Sequence, residues 1–324
     1  MICFRTTITI TALALAGVLP ANNGQSQSAP PGTWQVKAPV PGAGGENAVT
    51  VVGGKLYALG GSERRGATST TAEYDSASNQ WRTRAPMLSA RNHLGVAGIN
   101  GKIYVFGGFV KSVHLGAGTD ASEYDPATDK WRWLRPMPTP LGSVGAAAIN
   151  GTIHLIGGRG LDGKTVAIHT VYDPATDTWT TAAPLPKARD HLAVVAAEGK
   201  IHAIGGRFTS PDNRTDMHDV YDPATDSWGK AAPLKTARSA VAAALYHGMI
   251  VVDGGELPSE KRTFNENEGY DLKTDKWVSL TPLPHGRHGF GAGAIGNSLY
   301  FAGGALGPGG SQGNTNELLM FTLP

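Results

Sequence analysis

Cysteine is almost missing from this chain: its 324 residues include one, Cys3, close to the N-terminus. Charge is also scarce. Charged residues make up 17%, with 28 Lys and Arg against 26 Asp and Glu for a net +2, well below the ~25% of an average globular chain. So even a balance argues against a nucleic-acid binder, which needs a clustered basic face. Aromatic residues are only 7%. No apolar run reaches the roughly 20 residues needed to cross a bilayer. No stretch carries a 3.6-residue hydrophobic period, so helices are not expected. The phosphate-binding pattern Gly-x-x-x-x-Gly-Lys-Ser/Thr and the Gly-x-Ser-x-Gly nucleophile turn are both absent.

Glycine is abundant, at 44 residues, without the three-residue period of collagen. Such glycine points to many tight turns and close backbone contacts. The N-terminus has a targeting layout: Arg5, an apolar stretch over residues 8–19, then small residues at Pro20-Ala21 or Gln27-Ser28. This is the pattern of a secretory signal peptide. Residues 1–28 are expected to be that signal and residues 29–324 a single domain, periplasmic or secreted. Cys3 is not at the end of the apolar stretch, so no lipid anchor or membrane insertion is indicated. The mature chain would contain no thiol, which excludes disulfides, thiolate metal sites and cysteine nucleophiles.

Internal repetition is the strongest signal. Gly-Gly doublets begin at Gly60, Gly107, Gly157, Gly205, Gly254 and Gly303, at intervals of 47, 50, 48, 49 and 49 residues. Trp34, Trp81, Trp131, Trp179, Trp228 and Trp277 follow the same five intervals. Tyr-Asp recurs between these markers at Tyr74, Tyr124, Tyr172, Tyr221 and Tyr270, with Phe321 in the sixth place. Each unit reads as four short strands, a to d. In the second unit, strand a covers about residues 93–99 and ends in Asn100-Gly101, a tight hairpin turn. Strand b runs to the doublet, strand c holds Tyr124, and Asp125-Pro126 turns the chain into strand d at Trp131. The bare doublets are expected to admit the Tyr and Trp rings of neighbouring strands.

A repeat of this length, with Gly-Gly, Tyr-Asp and Trp in this order, resembles the kelch motif over residues 33–322. The resemblance implies an all-β, six-bladed β-propeller. Trp34 has no a, b and c strands before it, and the last unit has no following Trp. The N-terminal strand is therefore expected to complete the last blade and close the ring.

In such a ring the a–b and c–d turns share one face, and the d–a and b–c loops share the other. Here the first set is short and uniform and the second long and variable, so a binding site is expected on the second face. Sixteen residues before the doublets stand Gly44, Arg91, Leu141, Arg189, Arg238 and Arg287. Four arginines aimed at one channel mouth would suit an anionic ligand; alternatively they tie one blade to the next. Beside them are Glu46, Asn47, Asn92, His93, Asp190, His191 and His288. Asp253 takes a strand position that is apolar in the other five units, which calls for a partner or a purpose.

Glu256 and Arg262, six residues apart after the fifth doublet, resemble the catalytic pair of secreted sialic acid mutarotases (N-acetylneuraminate epimerases). That resemblance implies Glu256 as the base at the anomeric hydroxyl and Arg262 as the carboxylate anchor, with no cofactor. Galactose oxidases also use kelch blades, but their Cys–Tyr copper site cannot form without a cysteine. The ten histidines form no short ligand motif, and no metal site is expected; convergence of His93, His191 and His288 on a metal is the alternative. The expected function is binding of a small anionic or carbohydrate-like ligand, or of a partner protein, by a monomer. Cofactor-free sugar isomerisation is the competing expectation.

Overall fold

The computed structural model describes residues 1–2, 31–42, 44–63, 66–110, 114–310 and 312–324. The expected signal peptide falls almost wholly outside them. The described residues form six four-stranded antiparallel sheets and no α-helix. In five of these sheets the strands follow chain order from the centre outward. The innermost strands, Ala48–Val52, Gly95–Ile99, Gly145–Ile149, Ala193–Ala197, Ala242–Tyr246 and Gly291–Ile295, contact one another in a closed ring. The protein is a six-bladed β-propeller.

The N-terminal strand Thr33–Lys37 pairs with Leu318–Thr322 and becomes the outer strand of the sixth blade. Its Trp34 ring lies 4.8 Å from Phe321 and 5.4 Å from Phe301. Strand closure leaves no open ring edge, the liability of isolated sheets.

The repeated residues are explained by the seams between blades. Each marker Trp donates its indole N–H to a carbonyl just beyond the outer strand of the preceding blade: Trp81 to Ala38, Trp131 to Ala85, Trp179 to Arg135, Trp228 to Ala183 and Trp277 to Ala232. Trp34 makes the same bond to Thr281 across the closure. The marker Tyr hydroxyls donate to a turn residue five positions on, as Tyr124 does to Asp129 at 2.6 Å. That carboxylate also accepts the backbone N–H of Ala85 in the preceding blade. The Trp and the turn Asp thus grip the same segment from two sides.

The doublets make room for backbone rather than for the Tyr and Trp rings expected above, although Gly254 also faces the Phe290 ring. Gly255 N–H donates to the Arg287 carbonyl at 2.8 Å, and a Cβ on Gly254 would stand 2.5 Å from that oxygen. Both glycines have φ of +67° and +122°, a region closed to most L side chains. The a–b hairpins confirm the turn chemistry: Asn100 and Gly101 both have positive φ, at +52° and +76°, the geometry that matches the strand twist.

Candidate functional site

The loop face carries a second ring inside the first. Glu46, His93, Ser143, His191, Ala240 and Gly289, one from each blade, all adopt φ between +51° and +61°. Each donates its backbone N–H to the carbonyl of the preceding member, and Glu46 closes the circle on Gly289 at 2.6 Å. Five of the six are not glycine, so a conformation costing about 1–2 kcal/mol per residue is held in place by the cyclic hydrogen bonding. Gly289 is required where it stands: a Cβ there would lie 2.5 Å from the Glu46 carboxylate. A cavity of about 120 Å³ in the channel is lined by Glu46, His93, Ser143 and His191 together with apolar Leu192, Val241 and Phe290.

Arg207 organises the mouth. It follows the fourth doublet directly and is almost fully buried. Its Nε donates to Asp190 at 3.1 Å, Nη1 to Glu256 at 2.7 Å, and Nη2 to His191 at 3.0 Å and His114 at 3.3 Å. Glu256 accepts a further bond from the Gly309 N–H at 2.8 Å. His288 Nε2 lies 3.4 Å from Glu256 and 3.5 Å from Glu46. Glu46 also faces His93 Nε2 at 3.1 Å.

Charge states follow from these contacts. Burial opposes ionisation of Glu46, but His93 and His288 around it outweigh burial and hold it at about 2. Burial would also neutralise His288, yet its bond to Glu46 and the charges of Glu46 and Glu256 push it above the usual 6.5. Glu46 and His288 form a buried ion pair. Burial lowers His93 and His191 and takes His114 down to about 2, with Glu46 opposing the shift at His93. Burial raises Asp190 to about 6 against the pull of Arg207.

Glu46, His93, His191, His288 and Glu256 therefore meet at the mouth. Asn47 lies beside them, donating to the Ala302 carbonyl at 3.2 Å. The four arginines do not meet there. Their guanidinium groups turn into their own blades: Arg91 onto Asp120, Arg189 onto Asp219 at 2.7 Å, Arg238 onto Glu268 at 2.6 Å, and Arg287 onto Glu317. Arg91, Arg189, Arg238 and Arg287 stitch blades together, the carbonyl gripping one blade and the guanidinium the next, and none is free for a ligand.

Arg262 is likewise displaced from the site. Glu256–Leu257 and Arg262–Thr263 form a two-stranded ribbon in which Arg262 is opposite Leu257, while Glu256 is opposite Thr263. Alternation puts Arg262 on the face away from Glu256. It is half-exposed, bonds Glu266 and lies over the Phe264 ring. Asp253 is fully buried with no hydrogen bond to either oxygen, and burial raises it well above 3.8. It does not line the mouth.

Three histidines do converge, though not the three considered above. His93, His114 and His191 bring one ligand nitrogen each within 4.8 Å of the others. His288 is not part of this group. His154 and His202 instead sit between strands, paired with His169 and His218. A larger groove of about 490 Å³ lies at the rim between the fourth and fifth blades, where Gly229 has no side chain, but it lacks buried ionisable groups that converge.

A family model, the KLHDC2/KLHL20/DRC7 kelch-repeats domain, matches residues 45–255. The chain belongs to this kelch family. The solved structure of YjhT is similar at 20% identity and a TM-score of 0.72, covering 87% of this chain and 96% of that one. At that identity the kelch likeness concerns the fold. No curated protein sequence matches.

The mouth residues missed above are Arg207, His114 and Ser143. The signal for Arg207 was its register: it takes the position after the doublet that Glu256 takes one blade later. Ser143 shares the register of His93 and His191. His114 comes from a b–c loop without a repeated counterpart and carried no such signal.

Proposed function

We propose that this propeller binds a small neutral, carbohydrate-like ligand at the channel mouth of the loop face. The observation that carries this reading is the convergence of Glu46, Arg207, Glu256 and His288 from four blades, with Glu46 also lining the channel cavity. Carboxylates and a guanidinium held by their neighbours offer fixed acceptors and donors to ligand hydroxyls. An anionic ligand is less well served, because the arginines expected to hold it are spent on Asp120, Asp219, Glu268 and Glu317. The N-terminal pattern supports an extracytoplasmic setting, where sugars are met free.

Isomerisation is a second reading, favoured by the 3.4 Å approach of His288 to Glu256. A carboxylate base and a protonated imidazole at that separation suit proton removal from an anomeric hydroxyl and protonation of the ring oxygen. Arg262 would have no part in it.

The experiment is a panel of neutral and acidic monosaccharides titrated by calorimetry, with anomer exchange followed by NMR. Saturable binding of a neutral sugar, weakened at least about tenfold in Glu256→Gln, is expected. No binding across the panel would overturn the reading. Exchange at the buffer rate in the presence of a bound sugar would remove the isomerase alone.

A further inference from the structure

We propose that the Nε2 atoms of His93, His114 and His191 hold one divalent transition-metal ion of the zinc class, with Glu46 as the carboxylate beside it. The separations suit such an ion. His114 and His191 Nε2 are 3.1 Å apart, and the three ligand atoms span no more than 4.8 Å. A tetrahedral ion with bonds of about 2.0–2.1 Å sets its ligand nitrogens about 3.3–3.4 Å apart. Small side-chain rotations meet that requirement.

The outer nitrogens are already fixed. His191 Nδ1 lies 2.5 Å from Asp190 Oδ1, and His93 Nδ1 lies 2.7 Å from Asn92 Oδ1. Both acceptors favour a proton on Nδ1, which leaves the Nε2 lone pairs turned inward. A carboxylate behind a ligand imidazole is the usual support of a metal-bound histidine. The backbone is fixed as well, since His93 and His191 both belong to the cyclic ring.

An independent observation favours a cation at this place. His93 Nε2 is buried and makes no hydrogen bond, yet it faces the Glu46 carboxylate at 3.1 Å. With Nδ1 protonated, a lone pair opposes a carboxylate oxygen, and an ion between them removes the conflict. His288 is likewise buried with neither ring nitrogen in a hydrogen bond, but its Nε2 stands between the Glu46 and Glu256 carboxylates as their ion-pair partner, whereas the histidines of the strand pairs show no such deficit. His202 donates to His218, which donates to the Ala232 carbonyl, so their nitrogens are used within the pair.

Arg207 Nη2 now bonds the same two lone pairs, of His114 and His191. Ser143 Oγ also lies 3.2 Å from His191 Nε2, and an ion would displace this contact and the Nη2 arm while leaving Nε on Asp190 and Nη1 on Glu256. Three imidazoles favour zinc, cobalt, nickel or copper over the oxygen-seeking magnesium and calcium.

The test is titration of the metal-stripped full chain with Zn²⁺ against a chromophoric chelator, with Co²⁺ absorption reporting coordination. One ion per chain is expected, with the visible bands of a low-coordinate Co²⁺–imidazole site and a raised melting temperature on Zn²⁺ addition. His114 is only half-buried, so His114→Ala should fold normally and weaken the affinity by at least about 100-fold, and Asp190→Asn by about 10- to 100-fold. His247→Ala, on an exposed turn of the opposite face, should change nothing. Absence of saturable binding overturns the proposal, as does binding that survives His114→Ala unweakened. No sugar is present, so the outcome is separate from that of the ligand reading.

Discussion

Arg207 Nη1 and Glu256 Oε1 are 2.7 Å apart, and the two residues hold the same register in adjacent blades, each directly after its Gly-Gly doublet. Their pair bridges the fourth and fifth blades at the channel mouth, and both partners are almost wholly removed from solvent. Breaking such a pair from one side leaves a buried charge uncompensated, at a cost of about 3–5 kcal/mol. Arg207→Met strips the guanidinium from Asp190 as well as Glu256. It is therefore expected to lower the unfolding free energy measured by urea titration by that order. The double variant Arg207→Met/Glu256→Gln should lose clearly less than the sum of the two single losses. Strict additivity in a double-mutant cycle would show that the pair is not coupled.

What was legible in the chain and what was not differ in physical kind. Trp81, Trp131 and their counterparts solve one problem six times, the grip of each blade on its predecessor, so they recur in register and can be read without coordinates. Arg91, Arg189, Arg238 and Arg287 were open to two readings, an anion site or ties between blades, and their contacts follow the second. Their recurrence in four units was itself the mark of a scaffold task, capping the b and c strands of one blade while gripping the next. A binding site in a ring of like units is built from what differs between them. Arg207, Glu256 and Ala305 share one register yet carry a cation, an acid and a methyl group. Their convergence requires the ring to be closed before it can be seen. Glu256 was found through a resemblance, but its supposed partner Arg262 failed because ribbon register turns the two to opposite faces.

Asp253 occupies a position where the other blades place Leu59, Phe106, Ile156, Ile204 and Ala302. Its carboxyl is buried without a hydrogen bond, and its proton affinity is raised well above the ordinary 3.8 by burial. The unfolded chain releases this proton near pH 4, whereas the folded chain retains it to higher pH. Folding is thus progressively penalised as pH rises through that interval. Asp253→Leu is expected to stabilise the protein by about 1–3 kcal/mol at neutral pH, with the gain shrinking toward pH 4. Urea titrations at two pH values check this. A loss of stability in the variant would mean that Asp253 is ionised and supports Arg238 or Arg287.

The histidine pairs of the third and fourth blades set the acid limit of the fold. In each, a one-way chain of hydrogen bonds runs from His154 to His169 to the Ala183 carbonyl, and from His202 to His218 to the Ala232 carbonyl. The chain needs a neutral His169 and His218, because a second proton on either would fall on the accepting Nε2 and set two donors face to face. Burial, with the charge of the neighbouring imidazole, lowers His154 and His202 to about 4; burial likewise takes His218 to about 4. Nearby Asp226 and Asp275 oppose these shifts without cancelling them. Between pH 6.5 and 4 the unfolded chain therefore binds more protons than the folded one, and stability must fall as pH falls through that window. The fifth blade shows how to remove the dependence: Asn267 stands where His218 stands and makes the corresponding bond, to the Thr281 carbonyl at 3.0 Å. His169→Asn/His218→Asn is expected to keep the bonds to Ala183 and Ala232 and to reduce the fall of the urea midpoint between pH 6.5 and 4, the remainder coming from the buried histidines of the mouth. A wild-type midpoint already flat over that range would show that the pairs are protonated in the folded state.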